Sequence, residues 1–417
     1  MLSVSLLRIL MTRSLKPFLF EGRYRNSLDF GSADDLGLYV HIPFCRSLCS
    51  FCPYCKVLYD RQKAADFKEA LLQEIELVCR EMDGKKQVTS LYFGGGTPAL
   101  MINDLAGIID KLRGHFTIAG GIGVELHPND LTPEILRKLK SAGVTMVSIG
   151  VQSFHDECLL KIGRRNEGIY EKLQLVREAG FDVIDIDLIF AIPGQTDPLL
   201  ADDITTAFEH GATQVSAYPF IDFTFADNLY KPMSKNVKKK MLIHLAEYCR
   251  SIGIVRTSVW TFAKPGTARY SSVTRDSFLG FGVSATTLLK DCFKINTFSI
   301  EAYIERIRAG SLPTSLTLDF TKRQRAAYFL FWSAYAMRID SGKFEKLIGI
   351  PIRKMYGFEL FAAEKMGFIK KDGANYELTD KASVFYHYIE QAYTTAYIDK
   401  MWNISGKQAF PKQIVLK

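Results

Sequence analysis

Four cysteines, Cys45, Cys49, Cys52 and Cys55, crowd into eleven residues of a 417-residue chain. Thiolates this close together suit soft metals. Structural zinc usually takes two cysteine pairs from separate loops, so that each pair chelates and the tetrahedron closes. A single loop with three and then two residues between cysteines, Cys45-x3-Cys49-x2-Cys52, suits an iron–sulfur cluster better, because the cluster is itself several ångströms across. Three thiolates on a 4Fe-4S cluster leave one iron open. Further along stand the glycine run Gly94-Gly95-Gly96-Thr97, then Glu125, Gln152, Arg164 and Asp187. A glycine run lets backbone N–H groups approach a ligand closely. Carboxylates and amides in such places either bind a ligand or cap a neighbouring helix.

Residues so far apart need a scaffold that gathers them. From residue 36 to about 290, strand-like and helix-like patterns alternate. Strands are expected at Leu38–Ile42, Thr89–Phe93, Gly123–Leu126, Met146–Ile149, Val183–Phe190, Gln214–Pro219 and Ile254–Trp260. Helices are expected at Ala64–Arg80, Ile102–Leu112, Pro133–Ala142, Gly168–Ala179, Leu199–His210 and Val237–Ser251. Repeated βα units imply an α/β fold with a parallel sheet and outer helices, a partial (β/α)6 TIM-like barrel. Functional groups of such sheets collect at strand C-terminal ends. Cys45 follows the first strand, Gly94 the second, Glu125 lies on the third, Gln152 follows the fourth, and Asp187 lies on the fifth.

Three segments result: an N-terminal extension (1–35), the barrel (36–290) and a C-terminal module (291–417). The module reads as helices at Thr321–Arg338, Pro351–Lys365 and Lys381–Met401, with a hairpin at Phe368–Leu378 turning at Asp372-Gly373. That is a helical, winged-helix-like arrangement. It lacks a concentrated basic recognition helix, so a lid over the barrel mouth is expected rather than a nucleic-acid reader. The run Lys235, Lys238, Lys239 and Lys240 reads as a solvated first helical turn.

The remaining cysteines (Cys79, Cys158, Cys249 and Cys292) are scattered, which points to a reducing, cytoplasmic setting and not to a disulfide framework. The net charge of +8 decides nothing alone. No apolar run is long enough to span a bilayer. Met1 to Lys16 mixes leucines with Arg8, Arg13 and Lys16; it reads as a docked helix that could also touch a membrane surface.

The stretch Tyr39-Val40-His41-Ile42-Pro43-Phe44-Cys45, the run Gly94 to Pro98, and Ser148-Ile149-Gly150-Val151-Gln152-Ser153-Phe154 resemble the radical SAM family of oxygen-independent coproporphyrinogen III oxidase and its relatives. So do Asp187-Leu188-Ile189, Pro193-Gly194-Gln195-Thr196 and Gly280-Phe281-Gly282. The resemblance implies a radical SAM barrel whose 4Fe-4S cluster, held by Cys45, Cys49 and Cys52, binds S-adenosylmethionine (SAM) at the open iron and cleaves it to an adenosyl radical. It also implies two SAM molecules. Tyr39, Gly95 and Glu125 match contacts to the first, and Phe51, Gly96, Thr97, Gln152, Arg164 and Asp187 match contacts to the second, with Gly94 among the cofactor-binding residues of the same glycine run. A reductant such as flavodoxin or ferredoxin is implied as electron donor.

Two departures from the family pattern steer the expected function. Cys55 falls three residues after Cys52, where the decarboxylases have two. The segment Ala268 to Val273 lacks the His-Asn and Tyr-Trp signature of the haem-carrying relatives. The expectation is therefore methyl or methylene transfer from the second SAM to an sp2 carbon of a tetrapyrrole, quinone or heteroaromatic substrate, as in class C radical SAM methyltransferases. Oxidative decarboxylation of coproporphyrinogen III is the first alternative and non-catalytic tetrapyrrole carriage the second. By position, Tyr54, Cys55 and Tyr218 are the candidates for the proton or hydrogen that completes the reaction.

Overall fold

A computed structural model of the chain describes residues 2–24, 27–226, 228–268 and 276–417. Its centre is six parallel strands in chain order: β1 (Leu36–Ile42), β2 (Ser90–Gly95), β3 (Ile122–Leu126), β4 (Met146–Gln152), β5 (Val183–Phe190) and β6 (Gln214–Pro219). Strands covered on both faces must be apolar throughout. All six positions of β2 are buried, and one position each of β1 and β5 is partly exposed. Helices at Arg61–Cys79, Ile102–His115, Pro133–Ser141, Ile169–Ala179, Asp197–Glu209 and Lys235–Ser251 wrap the outside. Several begin with a side-chain cap: Asp60, Thr132, Thr196 and Ser234 each accept a first-turn backbone N–H. This is the expected α/β barrel. It stays open, since the fourteen-stranded sheet containing it runs from Val255–Arg256 at one edge to Gln413–Leu416 at the other.

The sheet does not stop at residue 290. Ser277–Phe281 pairs parallel to β1, and Thr286–Leu288, Cys292–Asn296 and Thr314–Asp319 continue it antiparallel. Phe18–Glu21 and Gln413–Leu416 close that edge, so the N-terminal extension and the chain's last strand are woven into one layer. The expected strand Ile254–Trp260 is instead two short ones, Val255–Arg256 and Thr261–Ala263. The Thr257 N–H donates to the Thr261 carbonyl at 2.8 Å, which folds the intervening residues into a turn.

In the C-terminal module, Arg338–Ile339, Ile369–Asp372 and Asn375–Leu378 form a three-stranded sheet beside helices Lys322–Tyr335, Ser341–Ile348 and Ile352–Lys365. This matches the winged-helix-like expectation. The last expected helix is broken into Asp380–Tyr393, a π-helical turn at Thr394–Ile398 and Asp399–Lys407. Leu2–Thr12 is a helix that packs against the module through Tyr356, whose hydroxyl donates to the Met11 carbonyl at 2.8 Å. Lys238 corrects another expectation: it is buried, not solvated, with its ammonium donating to the Phe220 carbonyl and burial lowering its pKa to about 8. Among the described residues, no helix is long and apolar enough to cross a membrane.

Candidate active site

The loop after β1 carries the cysteines. Two backbone bonds tie it down: the Val57 N–H donates to the Pro43 carbonyl at 2.8 Å, and the Tyr59 N–H to the Cys45 carbonyl at 2.9 Å. Cys45, Cys49 and Cys52 all line one cavity of 490 Å3, a volume ordinary for a ligand site. None is in a disulfide, and all three are partly exposed. Arg164 reaches towards the Cys49 sulfur at 3.8 Å, and the Thr97 hydroxyl stands 4.0 Å from the Cys45 sulfur. Among the described residues, no three His, Cys, Asp or Glu side chains converge on a single metal ion. Three thiols spread over one cavity wall fit a wide iron–sulfur cluster, whose ligands stand further apart than those of one ion.

Cys55 does not join them. It lies off the cavity wall, packs against the main core, and sends its thiol to the Phe298 carbonyl at 3.4 Å. Burial raises that thiol to about 11. The extra residue between Cys52 and Cys55 turns the side chain away, so its expected place among the catalytic candidates is corrected. Tyr54 and Tyr218 do line the cavity.

The glycine run is needed mainly for close packing. A Cβ on Gly95 would lie 2.6 Å from the His41 ring, and one on Gly96 would lie 2.6 Å from the Phe44 carbonyl oxygen. Gly95 also has φ +112°, open to few other residues. The expectation that these N–H groups face a ligand is corrected. Gly95 donates to Glu125 at 3.0 Å, Gly96 to the Ile42 carbonyl at 2.7 Å, and Thr97 to the Phe44 carbonyl at 2.7 Å. Gly95, Gly96 and Thr97 still border the cavity, whereas Gly94 and Tyr39 stand behind its wall. The Tyr39 hydroxyl bonds His41 at 3.0 Å, and the far side of that ring bonds the Cys55 carbonyl at 2.8 Å. These two residues thus brace the cysteine loop from behind.

Glu125 accepts from the Tyr92 hydroxyl at 2.9 Å as well as from Gly95, and burial raises it to about 7. Gln152 ends β4 with φ +71°, where a register shift against β5 occurs between Asp187 and Leu188. Left-handed backbone in a residue with a side chain is strain that concentrates at ligand sites. Arg164 is buried; it donates to the Gly150 carbonyl at 2.8 Å, while its Nε–H has no partner among the described residues. An orphan guanidinium donor on a cavity wall fits a carboxylate ligand such as that of SAM. Phe51 reaches the same wall from the cysteine loop.

Several wall residues escaped the sequence reading. Asp185 precedes Asp187 by two positions, so the strand's alternation puts both on one face, a signal that was available. Its Oδ2 accepts from Gln214 at 2.8 Å and Ser216 at 2.9 Å; the Ser148 hydroxyl serves Asp187 at 2.7 Å. Burial raises the pKa of both carboxyls, and the charge of Asp185 raises that of Asp187 further. The opposite wall comes from the C-terminal module: Trp332, Tyr335, Glu390, Thr394, Ile398 and Trp402. Nothing in their spacing announces this, because it follows from how the module docks. Tyr335 packs edge-to-face on Trp260, with ring centroids 5.7 Å apart. The expected lid is therefore a wall of the site.

Residues 39–206 match the family model "Radical SAM superfamily". Among curated proteins, the chain is 29% identical over 316 residues to "Heme chaperone HemW" of Bacillus subtilis, covering 70% of this chain and 81% of that one. It is 27% identical over 382 residues to "Oxygen-independent coproporphyrinogen III oxidase" of Pseudomonas aeruginosa, covering 82% of each. The solved coproporphyrinogen III oxidase of Escherichia coli, described as a radical SAM enzyme, superposes with a TM-score of 0.72 at 24% identity over 87% of this chain and 90% of that one. That likeness extends the shared fold through the C-terminal module.

Proposed function

We propose, from the premise that this chain is a radical SAM protein related to the oxygen-independent coproporphyrinogen III oxidases, that it oxidatively decarboxylates a propionate-bearing porphyrinogen. The observation that carries the reading is the meeting of three groups in one cavity: the cluster cysteines, the strand-end residues Glu125, Gln152, Arg164 and Asp187, and the aromatic wall of the C-terminal module. Cys45, Cys49 and Cys52 would hold a 4Fe-4S cluster, which would supply the electron for SAM cleavage once reduced by a donor such as flavodoxin or ferredoxin. Phe51, Gln152, Arg164 and Asp187 are the place for a second SAM molecule. Lys56 gives the same rim positive charge for a propionate, whereas that of Arg46 is paired with Asp130 at 3.0 Å. In each decarboxylation one hydrogen atom leaves the propionate methylene for the adenosyl carbon. The carboxylate departs as carbon dioxide, and the remaining electron passes to a one-electron acceptor.

Two other readings stay in view. Haem carriage is favoured by the chaperone relatives. The segment expected to disfavour it, Ala268 to Val273, lies outside the described residues beyond Ala268. Methyl transfer rested on the displaced Cys55, which packs away from the cavity, and the names of the reported relatives lend it no support.

The test is an anaerobic incubation of cluster-reconstituted protein with reductant, methyl-deuterated SAM and coproporphyrinogen III. Carbon dioxide with unlabelled tetrapyrrole product is the expected result. Deuterium in the product would replace this reading with methyl transfer. Haem binding without SAM cleavage would replace it with carriage.

A further inference from the structure

Asp185 is 4% exposed, stands on the cavity wall, and is left with Oδ1 lacking any donor among the described residues. Gln214 and Ser216 fix the carboxylate through Oδ2 alone. A buried acceptor with no partner is costly, so an orientation that keeps one oxygen bare needs a reason. Beside it, the Ser148 hydroxyl is engaged by Asp187 at 2.7 Å. The aromatic rings of Trp260, Tyr218 and Tyr335 surround this end of the cavity, with ring centroids 5.7–5.9 Å apart. The result is an apolar aromatic pocket with one unsatisfied anionic acceptor at its base.

We propose that Asp185 Oδ1 is the recognition point for the pyrrole N–H groups of a reduced, non-planar tetrapyrrole. This rests on the porphyrinogen reading above and adds which feature of the macrocycle is read. In a porphyrinogen the four rings are joined by saturated carbons, so their N–H groups can tilt to one face and converge on one oxygen. In the oxidised porphyrin the ring is flat and its inner N–H groups lie in the plane, out of reach of a carboxylate. Haem has none. Asp185 thereby selects the oxidation state of the macrocycle, while the propionates are read elsewhere on the rim.

Anaerobic equilibrium binding tests this with coproporphyrinogen III and coproporphyrin III, which carry the same four propionates. The wild-type chain is expected to prefer the porphyrinogen by roughly ten- to hundred-fold, the worth of a charge-assisted hydrogen bond in a buried site. Asp185→Asn keeps the size and an oxygen for Gln214 and Ser216 but presents an N–H where the ligand needs an acceptor. It should lose that preference while binding the porphyrin as before, with iron content per chain confirming an intact fold. Equal wild-type affinity for the two macrocycles would overturn the inference, and so would equal loss of both in Asp185→Asn. In either case decarboxylation by the wild type would leave the broader reading standing. If the wild type neither binds nor converts the porphyrinogen, both fall.

Discussion

Replacing Gly96 by alanine puts a methyl group where the cysteine loop meets β2. Its Cβ would stand 2.6 Å from the Phe44 carbonyl oxygen, 2.9 Å from the Pro43 carbonyl carbon and 3.0 Å from the Cys45 sulfur. Two of these are backbone atoms, so no side chain can swing aside. Relief requires the Pro43–Cys45 segment to move by about 0.5 Å or more, as much as a preorganised site tolerates. Overpacking of this kind costs about 1–3 kcal/mol, offset by about 0.4–1 kcal/mol from the stiffer unfolded chain. Gly107, in helix Ile102–His115, has nothing within 4 Å of its added Cβ and serves as the control. Gly107→Ala should be neutral or stabilising by about 0.5–1 kcal/mol. The assay is the Tm of the iron-free protein together with iron content and visible absorbance after reconstitution. Gly96→Ala should lower both Tm and cluster yield. Wild-type iron content together with an unshifted Tm would refute the reasoning that this glycine holds the cluster loop in place by close approach.

The other predictions follow from the same contacts. Cys45→Ala, Cys49→Ala and Cys52→Ala should each abolish cluster assembly, whereas Cys55→Ala should retain wild-type iron content, because its thiol faces the Phe298 carbonyl; iron and sulfide analysis decides. Glu74 is buried with donors from Gly282, Asn296 and Tyr303, and the Lys294 ammonium beside it has no hydrogen-bond partner among the described residues. Glu74→Leu leaves that lysine uncompensated and should cost about 3–5 kcal/mol, and adding Lys294→Met should recover much of it; denaturant unfolding of the iron-free protein measures both. Burial raises Glu125 to about 7, from an ordinary 4.5. The folded chain then binds a proton that the unfolded chain has released, so stability falls as pH rises from about 4.5 to 7 and is level above, by at most about 3 kcal/mol. Tm against pH should show Glu125→Gln flattening that slope.

What the sequence made legible has a common cause. Strands buried on both faces must be apolar along their length, and the functional residues sit where those runs end. Five of the barrel strands could thus be bounded within two residues, and the sixth, β4, runs three residues past its expected end, into Gln152. The failures also share a cause. The turn at Thr257–Trp260 depends on a bond to Thr261, the π-helical turn at Thr394–Ile398 buries Tyr397 among Phe20, Ile295 and Leu416 far off in the chain, and the burial of Lys238 depends on a carbonyl of Phe220. None of these is encoded in local periodicity. A lysine run reads as solvated unless one knows which helix face meets the next element.

The same division runs through the active site. The barrel residues proposed to hold SAM are spaced by strand ends and can be picked out one at a time. The residues proposed to face a substrate are Asp185, deep in β5, and cavity-lining residues of helices more than a hundred positions later, Trp332, Tyr335, Glu390 and Trp402. Barrel and module are therefore expected to respond differently to change. A substitution at Arg164 acts on the cysteine side of the cavity, where its guanidinium reaches towards the Cys49 sulfur. One at Tyr335 disturbs the packing on Trp260 and leaves the cysteine loop untouched. Cluster chemistry can then stay constant while the module wall is reshaped, which is how one radical-generating barrel can serve relatives with different tetrapyrrole functions.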